Sequence, residues 1–166
     1  MFVLGIDPGL TTTGYAVVDT EGLRPRAVAA GAIRTTPGLP DGIRLAELFR
    51  DLTEVISQYR PAEMAMEQVF VNRNLQTATA VGRATGVALL AAAQAGVPSF
   101  EYSPSAVKMA VTGCGNAGKD QVQEMVARRL GLARAPHPAD AADALAVVLC
   151  HLQSSSLARA VLRATR

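Results

Sequence analysis

An apolar run, Phe2-Val3-Leu4-Gly5-Ile6, leads directly into Asp7-Pro8-Gly9. The run is too short for a helix and the Pro-Gly pair breaks it, so it reads as a buried strand followed by a turn, with an acid at the strand's end. Gly14 to Asp19 and Ala27 to Arg34 are two more β-rich runs, divided by Glu21-Gly22 and Pro25. Three strands joined by short turns predict an antiparallel meander. From Arg44 the period changes: Leu45, Leu48, Phe49, Leu52, Val55, Ile56 and Tyr59 recur at intervals of three and four, a helix opened at Asp41 or Gly42 and closed by Pro61. Ala62 to Glu67 is a short strand that again ends in an acid.

Leu75 to Ala95 is rich in Ala, Gly, Val and Leu and is expected as a helix covered on most sides, with Gly82 and Gly86 leaving room for another helix to approach. Val97 to Tyr102 reads as a strand. Ser105 to Val111 and Gln121 to Leu130 read as helices around a Gly-rich loop, with Gly131 ending the second. Ala139 to Leu152 is the last helix. The tail 154–166 is Ser-rich and then basic, a composition compatible with partial disorder. The expectation is an α/β fold: a five-stranded mixed sheet flanked by helices, in a single domain spanning 1–166.

Composition agrees: 166 residues, 49% hydrophobic and 18% charged, suffice for one core. A mean hydropathy of +0.21 raises the question of a membrane span. The longest uncharged run, Ala84 to Phe100, contains Thr85, Gly86, Gln94, Gly96 and Pro98 and falls short of the roughly 20 apolar residues a spanning helix needs. The amino terminus lacks the basic region of a signal peptide and soon meets Asp7, so a cytoplasmic protein with no membrane partner is expected. Cys114 and Cys150 have no paired spacing, which argues against a disulfide framework or a zinc site and predicts two buried thiols. The net charge of +2 permits a polyanionic partner, and the excess of Arg over Lys suits phosphate recognition.

Four acids stand out by position. Asp7 and Glu67 each end an apolar strand, and Asp140 and Asp143 are three apart at a helix start, hence on one face. In an α/β sheet, strand ends and helix starts border the functional crevice. If they converge, two unit charges about 4 Å apart repel by about 4 kcal/mol at an effective dielectric near 20. Such a cluster needs protons or divalent cations, and hard oxygen donors favour Mg²⁺ or Mn²⁺ over zinc. Each acid also has a plainer reading. Asp7 suits a turn before Pro8-Gly9, and helix capping explains Asp140 with Asp143 equally well.

Two glycine-rich stretches imitate nucleotide sites. Asp7 to Gly14 is similar to the first phosphate loop of actin-like ATPases, but that fold needs two such domains and 166 residues hold one copy. Gly113 to Lys119 matches most of a P-loop, yet Asp120 replaces the Mg²⁺-holding Ser or Thr and a helix precedes it. Lys108 and Lys119, the chain's two lysines, both lie near this loop. Phe70, followed by polar residues, is either a core side chain or an exposed ring able to stack on an unpaired base. His137 and His151 read as structural.

Gly5-Ile-Asp-Pro-Gly9, Glu67-Gln-Val-Phe70, the segment from Val107-Lys108 through Lys119, and Asp140-Ala-Ala-Asp-Ala-Leu145 resemble, in order and spacing, the RuvC family of Holliday junction resolvases. The resemblance implies a ribonuclease H-like fold, a homodimer, and a Mg²⁺-dependent endonuclease acting on four-way junction DNA and leaving a 5′ phosphate and a 3′ hydroxyl. It places the family's acidic tetrad on Asp7, Glu67, Asp140 and Asp143, which would hold two Mg²⁺ per active site, with Mn²⁺ as the expected substitute. The position of Asp140 is His in some relatives. The active-site lysines fall on Lys108 and Lys119 and the junction-contacting aromatic on Phe70. Arg73 stands where a relative carries Lys, and Asn74 follows the pattern. The implied partners are the branch-migration proteins RuvA and RuvB.

Overall fold

The computed structural model describes residues 1–68 and 75–164, with side chains through Ser155. Ten elements follow one another: β1 (Phe2–Asp7), β2 (Thr12–Asp19), β3 (Arg26–Arg34), α1 (Asp41–Tyr59), β4 (Glu63–Glu67), α2 (Leu75–Gln94), β5 (Ser99–Tyr102), α3 (Pro104–Thr112), α4 (Lys119–Leu130) and α5 (Ala139–Ala164). The strands form one sheet in the order β3-β2-β1-β4-β5. β1 to β3 make the expected antiparallel meander, and β4 and β5 add in parallel, so the sheet is mixed.

The period of two along each strand divides the core into two layers. Leu4, Ile6, Val17, Met64 and Met66 point to one face, where they meet Leu48, Leu52 and Ile56 of α1 and Ala84, Ala88, Ala91 and Ala92 of α2. Val3, Ala16, Val18 and Ala65 point to the other, against Val107 and Val111 of α3, Val122 and Val126 of α4, and Leu145 and Val148 of α5. The parity has a consequence for the acids. Asp7 shares its face with Val3 and Gly5, and Glu67 shares its face with Ala65, so both carboxylates turn toward α5.

Helix α5 is the central element of that layer, buried at every residue from Ala144 to Cys150. It lies unusually close to the sheet because two strand positions beneath it lack a Cβ. A Cβ on Gly14 would collide with the Asp140 carbonyl, and one on Gly5 with the Ala144 carbonyl and the Val148 side chain. Glycine inside a strand weakens it, and its place here is explained by this backbone approach.

Three expectations need correction. Helix α2 is packed along one stripe only; Gly82 and Gly86 are exposed, with nothing within 4 Å of where a Cβ would stand, and Leu75 and Leu90 are exposed as well. Its solvent face carries Gly, Leu, Thr and Gln with a single charge, Arg83, so composition suggested cover on most sides where a single face is covered. Cys150 is buried as expected, but Cys114 is exposed, because the α3–α4 loop runs outside the core. Helix α5 continues past Leu152 to Ala164; Ser is only mildly unfavourable in a helix, and the Ala, Leu and Arg residues that follow favour one. No helix among the described residues is long and apolar enough to cross a membrane.

Gly14→Ala is expected to destabilise the protein by roughly 1–3 kcal/mol, since the added methyl meets backbone that cannot step aside. Gly42→Ala, in open space on α1, is expected to be neutral or stabilising by up to about 1 kcal/mol. Thermal melts of the two variants check this. Equal melting temperatures would remove the close seat of α5 as the reason for Gly14.

Candidate active site

Parallel pairing of Ile6 with Met66 sets the ends of β1 and β4 side by side, so Asp7 and Glu67 are neighbours on the α5 face. The first turns of α5 deliver Asp140 and Asp143 to the same edge, carried there by the close seat of the helix on Gly14. Helix α3 begins at a Ser103 cap, whose Oγ accepts from the Ala106 N–H at 3.2 Å, with Pro104 at its first position. Val107 and Val111 of α3 are buried against α5, and Lys108 stands beside them at the cleft. Gly113, at φ 77°, ends α3 in the left-handed region. Lys119 then opens α4, two residues before the start that the sequence predicts. Asp7, Glu67, Asp143, Lys108 and Lys119 line one cleft of about 270 Å³, floored by apolar groups that include Val107, Val122 and Ala146.

Charge governs this cleft. Burial, first, and then the charges of Asp143, Glu67 and Asp140 push the Asp7 carboxyl up to about 7, with Lys119 opposing. Although Asp140 does not line the cleft, its charge reaches Asp7. Burial and Asp143 likewise raise Glu67, against the pull of Lys108 and Lys119. Lys119 Nζ sits 2.8 Å from Asp143 Oδ2, and that hydrogen bond is the main cause holding its ammonium above the usual range. The amino end of α5 adds partial positive charge at Asp140 and Asp143. Its dipole therefore suits the same acids that the cleft requires, and the capping and metal readings do not compete.

The donor set fits divalent cations. Four carboxylates and two ammonium groups leave a deficit of two positive charges when all are ionised, and the elevated Asp7 reflects burial first and then that imbalance. Among the described residues no three carboxylate, imidazole or thiolate groups lie close enough together to enclose an ion as they stand, and Asp143 is engaged by Lys119. The fit therefore rests on the charge balance of the cleft and not on a ready-made ligand cage.

The turn after Asp7 is fixed from within: the Thr13 hydroxyl donates to the Gly9 carbonyl at 2.7 Å and accepts from the Gly9 N–H at 3.3 Å. Gly5 and Gly14 are prominent in the sequence as parts of motifs, but their packing role was not read from it, nor was the turn-fixing role of Thr13, although isolated glycines in a strand are a signal of close backbone approach. Phe70, Arg73 and Asn74 lie outside the described residues. His151 is structural: it is buried, and its ring nitrogens meet the Tyr102 hydroxyl and the Glu63 carboxylate, each at 2.8 Å.

Between the ordinary pKa of 3.8 and about 7, folded Asp7 keeps a proton that the unfolded chain releases. Stability should therefore fall as pH rises through that window. In EDTA, Asp7→Asn is expected to remove much of this fall and to raise Tm at pH 8 on the order of 5 °C. Parallel Tm profiles for parent and variant would contradict the charge balance described above.

The family model for RuvC, crossover junction endodeoxyribonuclease, matches residues 3–151. The crossover junction endodeoxyribonuclease RuvC of Pelotomaculum thermopropionicum is 51% identical over 91% of this chain and 92% of its own length. The structure of Thermus thermophilus RuvC superposes with a TM-score of 0.87 at 40% identity, covering 95% of this chain and 97% of that one. The same Thermus protein in complex with a Holliday junction substrate gives 0.89 at 39% identity, covering 95% and 96%. The fold is thus the expected ribonuclease H-like one, and with its sheet, its acid-lined cleft and nearly its whole length accounted for, the chain belongs to the RuvC family of crossover junction endodeoxyribonucleases.

Proposed function

We propose that this chain resolves four-way DNA junctions by hydrolysing one phosphodiester bond in each of two symmetry-related strands. The observation that carries the reading is the meeting of Asp7, Glu67, Asp140 and Asp143, far apart in sequence, at one edge of the sheet beside Lys108 and Lys119. The Thermus relative that binds a junction substrate supports the choice of DNA.

Asp7, Glu67, Asp140 and Asp143 would hold two Mg²⁺, or Mn²⁺ in its place, and these ions supply activation of the attacking water and stabilisation of the leaving 3′ oxygen. Asp7, which feels the charges of the other three acids, would be one of the ligands of this set. Its elevated pKa means that it must lose a proton before it serves, which favours neutral to alkaline pH. Lys108 and Lys119 stabilise negative charge as it develops on the phosphate, and the engagement of Asp143 by Lys119 fixes that ammonium at the cleft before substrate arrives. The products carry a 5′ phosphate and a 3′ hydroxyl. Phe70 stacks on an unpaired base at the junction, an interaction worth about 1–3 kcal/mol, and Arg73 and Asn74 contact the DNA nearby.

A single site cuts one strand, whereas resolution needs two symmetric cuts, and a two-fold homodimer supplies them. The open face of α2, with Gly82, Gly86 and Leu90, is the proposed dimer contact. The protein acts in the cytoplasm alongside RuvA and RuvB.

With a synthetic four-way junction and Mg²⁺, paired nicks at symmetric positions are expected when all four strands are mapped. Asp7→Asn should bind the junction and leave it uncut; retained Mg²⁺-dependent cutting would reject Asp7 as a ligand. Phe70→Ala is expected to reduce junction opening, followed by the fluorescence of a base analogue at the crossover, more than it reduces duplex binding. Equal losses on both would count against stacking.

A further inference from the structure

Arg44 is held in place without a direct ion pair. It stands in the amino-terminal part of α1, where the helix dipole disfavours a cation. Its Nε donates to the Thr35 hydroxyl and its Nη2 to the Thr11 hydroxyl, both at 2.9 Å. Thr35 is itself buried and donates to the Leu10 carbonyl at 2.7 Å, so the anchor is rigid. The acids one turn away on either side are hydrogen-bonded elsewhere: Asp41 pairs with Arg83, and Glu47 accepts from the Thr36 N–H and hydroxyl, each at 2.8 Å, so that Arg44 acts on Glu47 only through space, as a minor cause of its lowered pKa.

Two neutral hydroxyls therefore fix the Nε–Nη2 edge of the guanidinium without neutralising it. Among the described residues no carboxylate stands within ion-pair distance of Arg44. The Nη1–Nη2 edge remains, a planar fork of the shape that grips a phosphate. Its location matters. Thr11 belongs to the turn that begins at Asp7, and pairing of Asp7 with Gly14 and of Thr12 with Arg34 brings Thr11, Thr35 and the catalytic acids to the same edge of the sheet. Helix α1 packs on the face of the sheet opposite α5, so Arg44 reaches this edge from the other layer, through Thr11 just ahead of β2.

We propose that Arg44 binds a backbone phosphate flanking the scissile one and, through Thr11, couples that contact to the turn that carries Asp7. The inference rests on the junction-cutting function argued above. A cation preset by neutral partners loses neither an ion pair nor much side-chain freedom when a phosphate arrives, which favours binding at this point over an unanchored surface arginine.

The test measures junction affinity across roughly 50 to 200 mM salt in the Asp7→Asn protein, which is expected not to cut. Adding Arg44→Gln should weaken binding about tenfold and reduce the magnitude of the log–log salt slope by about one per contacted phosphate, whereas Arg44→Lys should keep the slope. Arg44→Met, which retains the aliphatic stem, is the second neutral variant if Arg44→Gln melts below the assay temperature. A folded neutral variant with the parental slope would overturn the inference and leave Arg44 as a prop for the turn. Absence of junction affinity in the parent would overturn the functional reading as well, so the two failures are distinguishable.

Discussion

The contact between α5 and the glycine positions of β1 and β2 is the constraint on which the site depends. Helix α5 supplies much of one core layer, and its distance from the sheet is set by the absence of a Cβ at Gly5 and Gly14. With a larger residue at either position the helix would ride higher, and Asp140 and Asp143 would rise away from the ends of β1 and β4. Core packing and acid placement are thus one problem with one solution. Apolar burial below Ala144 stabilises the helix, and that stability is applied at its first turns to hold carboxylates where they repel one another.

This opposition explains the electrostatic profile of the cleft. Asp7 is caught between burial and three like charges, and the two lysines relieve only part of the crowding. Removing such a charge would stabilise the fold, a trade that functional sites commonly make. Lys119 is bound to Asp143 instead of Asp7, which leaves Asp7, the acid most raised, as the one with most to gain from a cation that enters.

How much of this was legible in the sequence depends on whether a feature is local. The strand ending at Asp7, the three- and four-residue spacing of α1, and the antiparallel meander were legible because period and turn chemistry act over a few residues. The joining of Asp7 to Glu67 was legible only as a condition: it depends on the parallel register of β1 and β4, separated by two strands and a helix, so their strand-end positions raised it and the resemblance to the RuvC family supported it. The open face of α2 was hidden because Ala and Gly look alike on either side of a helix, and the exposure of Cys114 because a thiol carries no sign of its own depth. Glycine at positions 5 and 14 was visible but uninterpreted, since its meaning lies in a helix more than a hundred residues away.

Where a local rule is broken, a competing demand can be identified. Helix α4 obeys the dipole rule at its carboxyl end, with Arg128 and Arg129 in the last turn, and breaks it at its first residue, Lys119. Helix α1 breaks it with Arg44. Both exceptions lie at the sheet edge that carries the acids, and both cations are fixed by partners from other elements, Asp143 in one case and Thr11 with Thr35 in the other. Helix dipoles and cations that share an edge reinforce one another's positive potential, and here they surround a negative centre. A polyanionic backbone can satisfy such a pattern along several of its phosphates while one of them is brought over the acids.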